Sequence, residues 1–318
     1  MGADGGWATA SIPTRRWLLS IVVVGSVALD TIETPFGRAD GTLGGSATHF
    51  SCAASFFAPV ALVGVVGRDF PPVHVDFLRS KGVDTEGLEV ADGETFAWEG
   101  FYDFDLNTAH SRKTSLNVFA DFHPMLSDSH RDADFVFLAN IDPDLQREVL
   151  AQVSGPRLRV CDTMNFWIES KRESLVDTLR SVDVVLMNDA EARELCGTNS
   201  LLEAARIVLS WGPTAVVLKK GEHGALLFTA DSHFAAPAFP LEEVKDPTGA
   251  GDSFAGGFVG SLAKTGDLSE PGMRRAVIYG SVMASYNVEG FGADRMRTLT
   301  HTEIEARYQA FRHITAFE

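Results

Sequence analysis

The sequence predicts a three-layer α/β fold, with helices on both faces of a mainly parallel sheet and a small β lid. Two patterns carry this: short apolar runs that end near polar residues, and segments of helical spacing between those runs. A third observation is the stretch from Glu94 to Val118, where alternating aromatics break the α/β rhythm.

In chain order, the runs are Ile21 to Val24, Val60 to Val66, Phe135 to Leu138, Leu158 to Cys161, Val182 to Met187 and Ala215 to Leu218. Each has the length and β-branched content of a strand buried on both faces. Helical spacing fills Leu145 to Val153, Ser174 to Arg180, Ala190 to Leu195 and Leu201 to Trp211. Ligands of such sheets sit beyond the carboxyl ends of the strands. Asp30, Asn140, Asp162, Asn188 and Lys219 fall at those ends. In the divergent stretch, Phe96, Trp98, Phe101, Tyr102 and Phe104 lead into a turn at Asp105-Leu106-Asn107, and Thr108 to Leu116 returns as a second strand. Exposed aromatics need a cover, so lid strands are expected at about 31–43 and 94–118, closing over a ligand or pairing two subunits into a homodimer. The sequence predicts one domain over residues 20–318 behind a disordered leader, 1–19.

The 318 residues carry 45% hydrophobic and 22% charged residues and a net charge of −16. That balance is globular, and it disfavours nucleic acid and anionic membranes as partners. Cys52, Cys161 and Cys196 are sparse and unpaired in spacing, which reads as reduced thiols in the cytoplasm. Arg15-Arg16 before the apolar run Trp17 to Leu29 superficially resembles a twin-arginine export signal; a buried first strand is the preferred reading.

Chemistry concentrates in Asp246-Pro247-Thr248-Gly249-Ala250-Gly251-Asp252-Ser253-Phe254-Ala255-Gly256-Gly257. Pro247 disfavours helix at Asp246, and the glycines permit unusual dihedrals. Phe254, Phe258 and Leu262 then mark one apolar face of a helix. A glycine turn feeding a helix start would aim the free amides of Gly249, Ala250 and Gly251 at one spot, aided by the helix dipole. A carboxylate beside them, Asp252, suits a general base that takes a proton from a hydroxyl attacking a phosphoryl group. The plainer alternative is that Asp252 caps the helix.

This string resembles the C-terminal motif of the ribokinase-like (PfkB) carbohydrate and nucleoside kinases, and the likeness runs in order from about Ile21 to Arg295. Gly25-Ser26-Val27-Ala28-Leu29-Asp30 is similar to the family's first strand with its substrate-binding aspartate. Gly44-Gly45-Ser46-Ala47-Thr48 resembles its double-glycine motif, and Val63 to Asp69 the strand and turn that follow. The resemblance implies a substrate site of Asp30, Gly44, Gly45 and His49, with Asn140, Asp142 and Asp246. His49 departs from the family's asparagine and alternatively turns inward as a packed side chain. Asn188-Asp189-Ala190-Glu191 matches the family's NxxE motif, which implies that Asn188 and Glu191 place Mg²⁺ through water beside ATP. Lys219-Lys220-Gly221-Glu222-His223-Gly224 resembles a nucleotide-contacting strand end, with Lys219 where threonine is common. This lysine either reaches a phosphate or is solvated. Asn287 lies where the family closes the adenine pocket, and Asp246 with carbonyls there binds a monovalent cation, K⁺, in some members. The implied activity is transfer of the ATP γ-phosphate to a hydroxyl, with a sugar preferred as acceptor and a nucleoside as the alternative. A non-catalytic sensor would not need the intact Asp252, and a dinucleotide oxidoreductase would need a GxGxxG that is missing after the first strand.

Overall fold

A computed structural model describes residues 20–316. The leader 1–19 and Arg15-Arg16 lie outside the described residues. Fourteen strands are present among the described residues: β1 (Ile21–Val24), β2 (Ala28–Thr34), β3 (Gly37–Gly44), β4 (Val60–Val66), β5 (Val83–Asp84), β6 (Leu88–Val90), β7 (Ala97–Tyr102), β8 (Ala109–Ser115), β9 (Phe135–Leu138), β10 (Leu158–Cys161), β11 (Val184–Asn188), β12 (Ala215–Lys219), β13 (Ala225–Thr229) and β14 (His233–Ala236).

The larger sheet runs β14-β13-β12-β11-β10-β9-β1-β4-β5, with β6 also pairing β4. From β12 to β5 every pairing is parallel, and Ile21 sits in register with Val60 on one side and Phe135 on the other. Side chains of a strand alternate between faces, so each apolar run serves two cores. Ile21, Val23, Phe135 and Phe137 pack with the helices Ser46–Ala54, Ala250–Thr265 and Glu270–Asn287. Val22, Val24, Val136 and Leu138 pack on the opposite face against Leu175, Leu195 and Val208. Phe50 stacks on Phe137 with ring centroids 4.1 Å apart. The three layers expected from the sequence are therefore present. The antiparallel β13–β14 edge is an addition that the sequence patterns did not announce.

The second sheet, β3-β2-β7-β8, stands apart. It consists of two hairpins, β2–β3 over 28–44 and β7–β8 over 97–115. They join through a parallel β2–β7 pairing in which Asp30 faces Trp98. The register of β7 against β8 shifts at Glu99/Gly100, where Arg112 is the extra residue of a bulge in β8. The three cysteines are free. No helix among the described residues is long and apolar enough to cross a membrane.

Candidate active site

Parallel pairing brings the ends of β9, β10, β11 and β12 to one edge of the sheet. The helix Ala250–Thr265 starts at that edge, fed by Gly249 in the left-handed region at φ 73°. Only glycine adopts that conformation without strain, and here a side chain would also strike the His49 ring 2.3 Å away. The amides of Gly249 and Gly251 find no acceptor among the described residues. The expectation of three free amides is corrected at Ala250, whose N–H closes the turn onto the Pro247 carbonyl at 3.1 Å. Asp252 lies in the first helical turn. Burial, then the nearby Asp162 carboxylate, raises its carboxyl to about 7 against the pull of Lys219.

Asp30 approaches the same loop from β2. It is 5% exposed, and its Oδ1 has no hydrogen-bond partner. A buried carboxylate oxygen without a donor is costly unless a ligand supplies one. Gly44 makes room for this side chain, since a Cβ there would stand 1.9 Å from Asp30 Oδ2. Burial, then Asp246 nearby, raises Asp30 to about 7, while the amides of Gly45 and Trp98 pull the other way. From β7, the Tyr102 hydroxyl accepts a hydrogen bond from Thr248 Oγ1 at 3.2 Å, so the second sheet touches the glycine loop directly. The Trp98 indole lies across Gly100, where a Cβ would come within 2.1 Å of the ring. Burial pushes the Tyr102 phenol above its usual range.

On the other side of the loop, Asn188 and Glu191 form a capping box. The Glu191 amide donates to Asn188 Oδ1, and the Glu191 carboxylate accepts from the Asn188 amide and side chain, each at 2.7 or 2.8 Å. Burial raises the Glu191 carboxyl, with Lys219 opposing. Lys219 is not solvated. Its side chain is 16% exposed, Nζ donates to Asp162 Oδ2 at 2.6 Å, and it stands 3.1 Å from the Cβ direction of Gly251. Burial works against its charge, but Asp162 and Glu191 outweigh that and hold its pKa above the usual lysine range.

Other expected site residues are placed differently. His49, with 1% exposure, lies beneath the glycine loop. Asn287 Nδ2 donates to the Thr248 carbonyl at 2.7 Å, so its Oδ1 accepts from both Ser253 Oγ and His49 Nδ1. That leaves the lone pair of His49 on Nε2, buried without a partner. Burial drops its pKa to about 4, so the ring is neutral. His49, expected beside the substrate, and Asn287, expected beside the nucleotide, thus hydrogen-bond to each other under the loop. Asp246 is fully buried and accepts from the Thr248 and Gly292 amides at 2.8 Å each. It ties two loops together and is closed to a direct substrate contact. Asp142 caps the helix Pro143–Leu150 and pairs with Lys171 at 2.7 Å, which accounts for it without a substrate. Asn140, at the end of β9, accepts from Trp167 Nε1 at 3.0 Å. Gly221 and Gly224 turn β12 into β13 beside Lys219. Two residues missing from the expected site belong beside it: Asp162, flagged only as a strand end, and Tyr102, seen only as one lid aromatic among several.

A model of the pfkB family carbohydrate kinases matches residues 19–299. The chain belongs to the PfkB family of carbohydrate kinases. This PfkB kinase is a phosphotransferase acting on hydroxyl groups. It is 31% identical to the cytidine kinase of Thermococcus kodakarensis over 259 residues, 80% of this chain and 92% of that one. By fold it is similar to the nucleoside kinase of Burkholderia thailandensis in complex with inosine, with a TM-score of 0.73 and 23% identity over 91% of this chain and 98% of that one. It is also similar to a ribokinase II of E. coli in complex with ATP and Mg²⁺, with a TM-score of 0.74 and 20% identity over 92% of this chain and all of that one. PfkB kinases use ATP with Mg²⁺. Among the described residues no cluster of three or more metal-ligating side chains is built, but the carboxylates of Asp162, Glu191 and Asp252 all lie near Lys219. Mg²⁺ commonly keeps its waters and takes its remaining oxygens from phosphate.

Proposed function

We propose that this PfkB kinase transfers the γ-phosphate of ATP to a ribose hydroxyl of a nucleoside. The observation that carries the acceptor class is the aromatic face of β7. Trp98 and Tyr102 share one side of that strand, with side-chain-free Gly100 between them. The face begins beside Asp30 and ends on Thr248 of the glycine loop. A flat aromatic surface suits the stacking of a base, while Asp30 Oδ1 offers the acceptor that a ribose hydroxyl needs. The similarity to a cytidine kinase supports the same reading. It reverses the sugar preference drawn from the sequence, which rested on the family's majority.

In the reaction, Asp30 and the Gly44-Gly45 backbone hold the ribose so that one hydroxyl faces Asp252. Asp252, ionised, takes the hydroxyl proton as the oxygen attacks the γ-phosphorus. The amides of Gly249 and Gly251 receive the charge that develops on the phosphoryl oxygens. His49 and Asn287 keep those amides in place from below. Gly221 and Gly224 shape the turn that borders the nucleotide. Asn188 and Glu191 would hold Mg²⁺ through water, where the ion neutralises phosphate oxygens. No step is assigned to K⁺, because the oxygens of Asp246 already accept two amides and Val288 O accepts two more. Closure of β2, β3, β7 and β8 over the acceptor excludes water. Pairing of two lids into a homodimer is supported by the open edges of β3 and β8 and by Phe104, which is 87% exposed.

The test is ATP consumption with a panel of nucleosides and sugars. The expected result is a kcat/KM for at least one nucleoside about 100-fold above that for ribose or fructose, the scale on which a site built for one acceptor rejects another. Equal or better turnover of a free sugar would overturn the acceptor assignment.

A further inference from the structure

The Asp162–Lys219 pair crosses the phosphate end of the site, and neither the capping box nor the base accounts for it. A protonated lysine has three N–H donors and no acceptor. Asp162 Oδ2 takes one of them, and it is the single acceptor that Nζ has among the described residues. The other two donors sit in a place almost closed to water, 3.1 Å from the Cβ direction of Gly251. Unfilled donors on a buried cation are costly, and the cost is relieved by an anion. The nearest surface able to receive one is that formed by the free amides of Gly249 and Gly251. An ammonium held there by a carboxylate tether lies beside the loop that carries Asp252, since Gly251 directly precedes Asp252 in the chain.

We propose that Lys219 is a catalytic residue that binds the γ-phosphoryl group in transit, and that Asp162 is the positioning residue that holds it there. This rests on the assignment of Asp252 as base and of the glycine loop as the phosphoryl site. In the step itself, the acceptor oxygen forms its bond to the γ-phosphorus as the bond from that phosphorus to the β,γ-bridging oxygen breaks. The proton passes to Asp252, and the electron pair leaves with ADP. Lys219 donates to a non-bridging oxygen throughout and keeps its proton. Asp162 occupies one of its donors, fixes its direction and prevents it from pairing with Asp252, which must remain free to act as base. The lysine thereby performs work that the family's more common threonine, a neutral donor, does not perform with a charge.

The test compares Lys219→Met, Lys219→Arg and the double variant Asp162→Asn/Lys219→Met. The double variant guards against misfolding, because removing both members of a buried pair is often close to neutral whereas removing one strands the other. The expected kcat loss for Lys219→Met is about 100- to 1,000-fold, as for loss of one oxyanion donor. The double variant should be as slow, and Lys219→Arg should recover part of the rate. By calorimetry, wild type should bind ATP more tightly than ADP, and Lys219→Met should remove that difference while leaving ADP affinity within about 3-fold. A purely structural pair gives a different pattern: the double variant regains near wild-type kcat, or ATP and ADP weaken equally, and either result overturns the proposal. If no nucleoside is phosphorylated, the acceptor assignment fails by itself, and the ATP-against-ADP comparison still decides the role of Lys219.

Discussion

Asp252 and Asp30 are both raised to about 7, chiefly by burial, and this fixes the sign of two pH effects. Asp252 must be ionised to accept a proton, so kcat/KM should fall as the pH drops through about 7. The midpoint belongs to the interacting carboxyls together rather than to either alone. Stability should move the other way. Both groups hold a proton more tightly folded than unfolded, so the folded state binds more protons between about 4 and about 7, and stability declines as pH rises through that window. A Tm series from pH 5 to pH 8 should show the decline, and Asp252→Asn should make it shallower; an unchanged slope in that variant would contradict the burial assigned to Asp252. Among single residues, those of the glycine loop were legible because their chemistry is local: Pro247, Gly249, Gly251 and Asp252 are neighbours in sequence. Lys219 and Asp162 are 57 residues apart, and only the β10-β11-β12 order brings them together. For His49 the sequence left two readings open, a substrate contact or a packed side chain, and the structure shows it packed and hydrogen-bonded to Asn287. Its burial follows from a helix, Ser46–Ala54, in which every residue is buried.

At the level of elements, the hairpin of β7 and β8 was readable from its aromatic alternation and its Asp105-Leu106-Asn107 turn. The pairing of β2 with β7 was not, since parallel partners come from distant segments and no local signal fixes their register. That pairing is what sets Trp98 beside Asp30. Tyr102→Ala should therefore raise the nucleoside KM by about 10- to 100-fold, the loss of one stacked and hydrogen-bonded contact, with kcat lowered less. Tyr102→Phe, which keeps the ring and loses only the Thr248 contact, should shift KM by less than about 10-fold. If the alanine variant leaves KM unchanged, the aromatic face does not meet the acceptor. The β13–β14 hairpin escaped the sequence reading because His233–Ala236 is a short, half-exposed strand without the continuous apolar run that marked its neighbours.

Over the whole molecule, the parallel order of the central strands does the functional placing. It carries Asn140, Asp162, Asn188 and Lys219 to one edge, and the helix Ala250–Thr265 delivers its amino end there from the face packed by Phe50 and Phe137. The fold class followed from buried strand runs alternating with helices; which strands neighbour which followed only from the three-dimensional structure. In the proposed mechanism the net charge of −16 need not repel the triphosphate, because the glycine-loop amides and Lys219 offset it locally. The claim at the centre is that Asp252 removes the proton from the attacking hydroxyl. Its most direct test is the turnover of Asp252→Asn beside its ATP affinity: we expect kcat to fall by about 100-fold or more with the ATP Kd within about 3-fold of wild type, whereas near-normal turnover by that variant would contradict the mechanism.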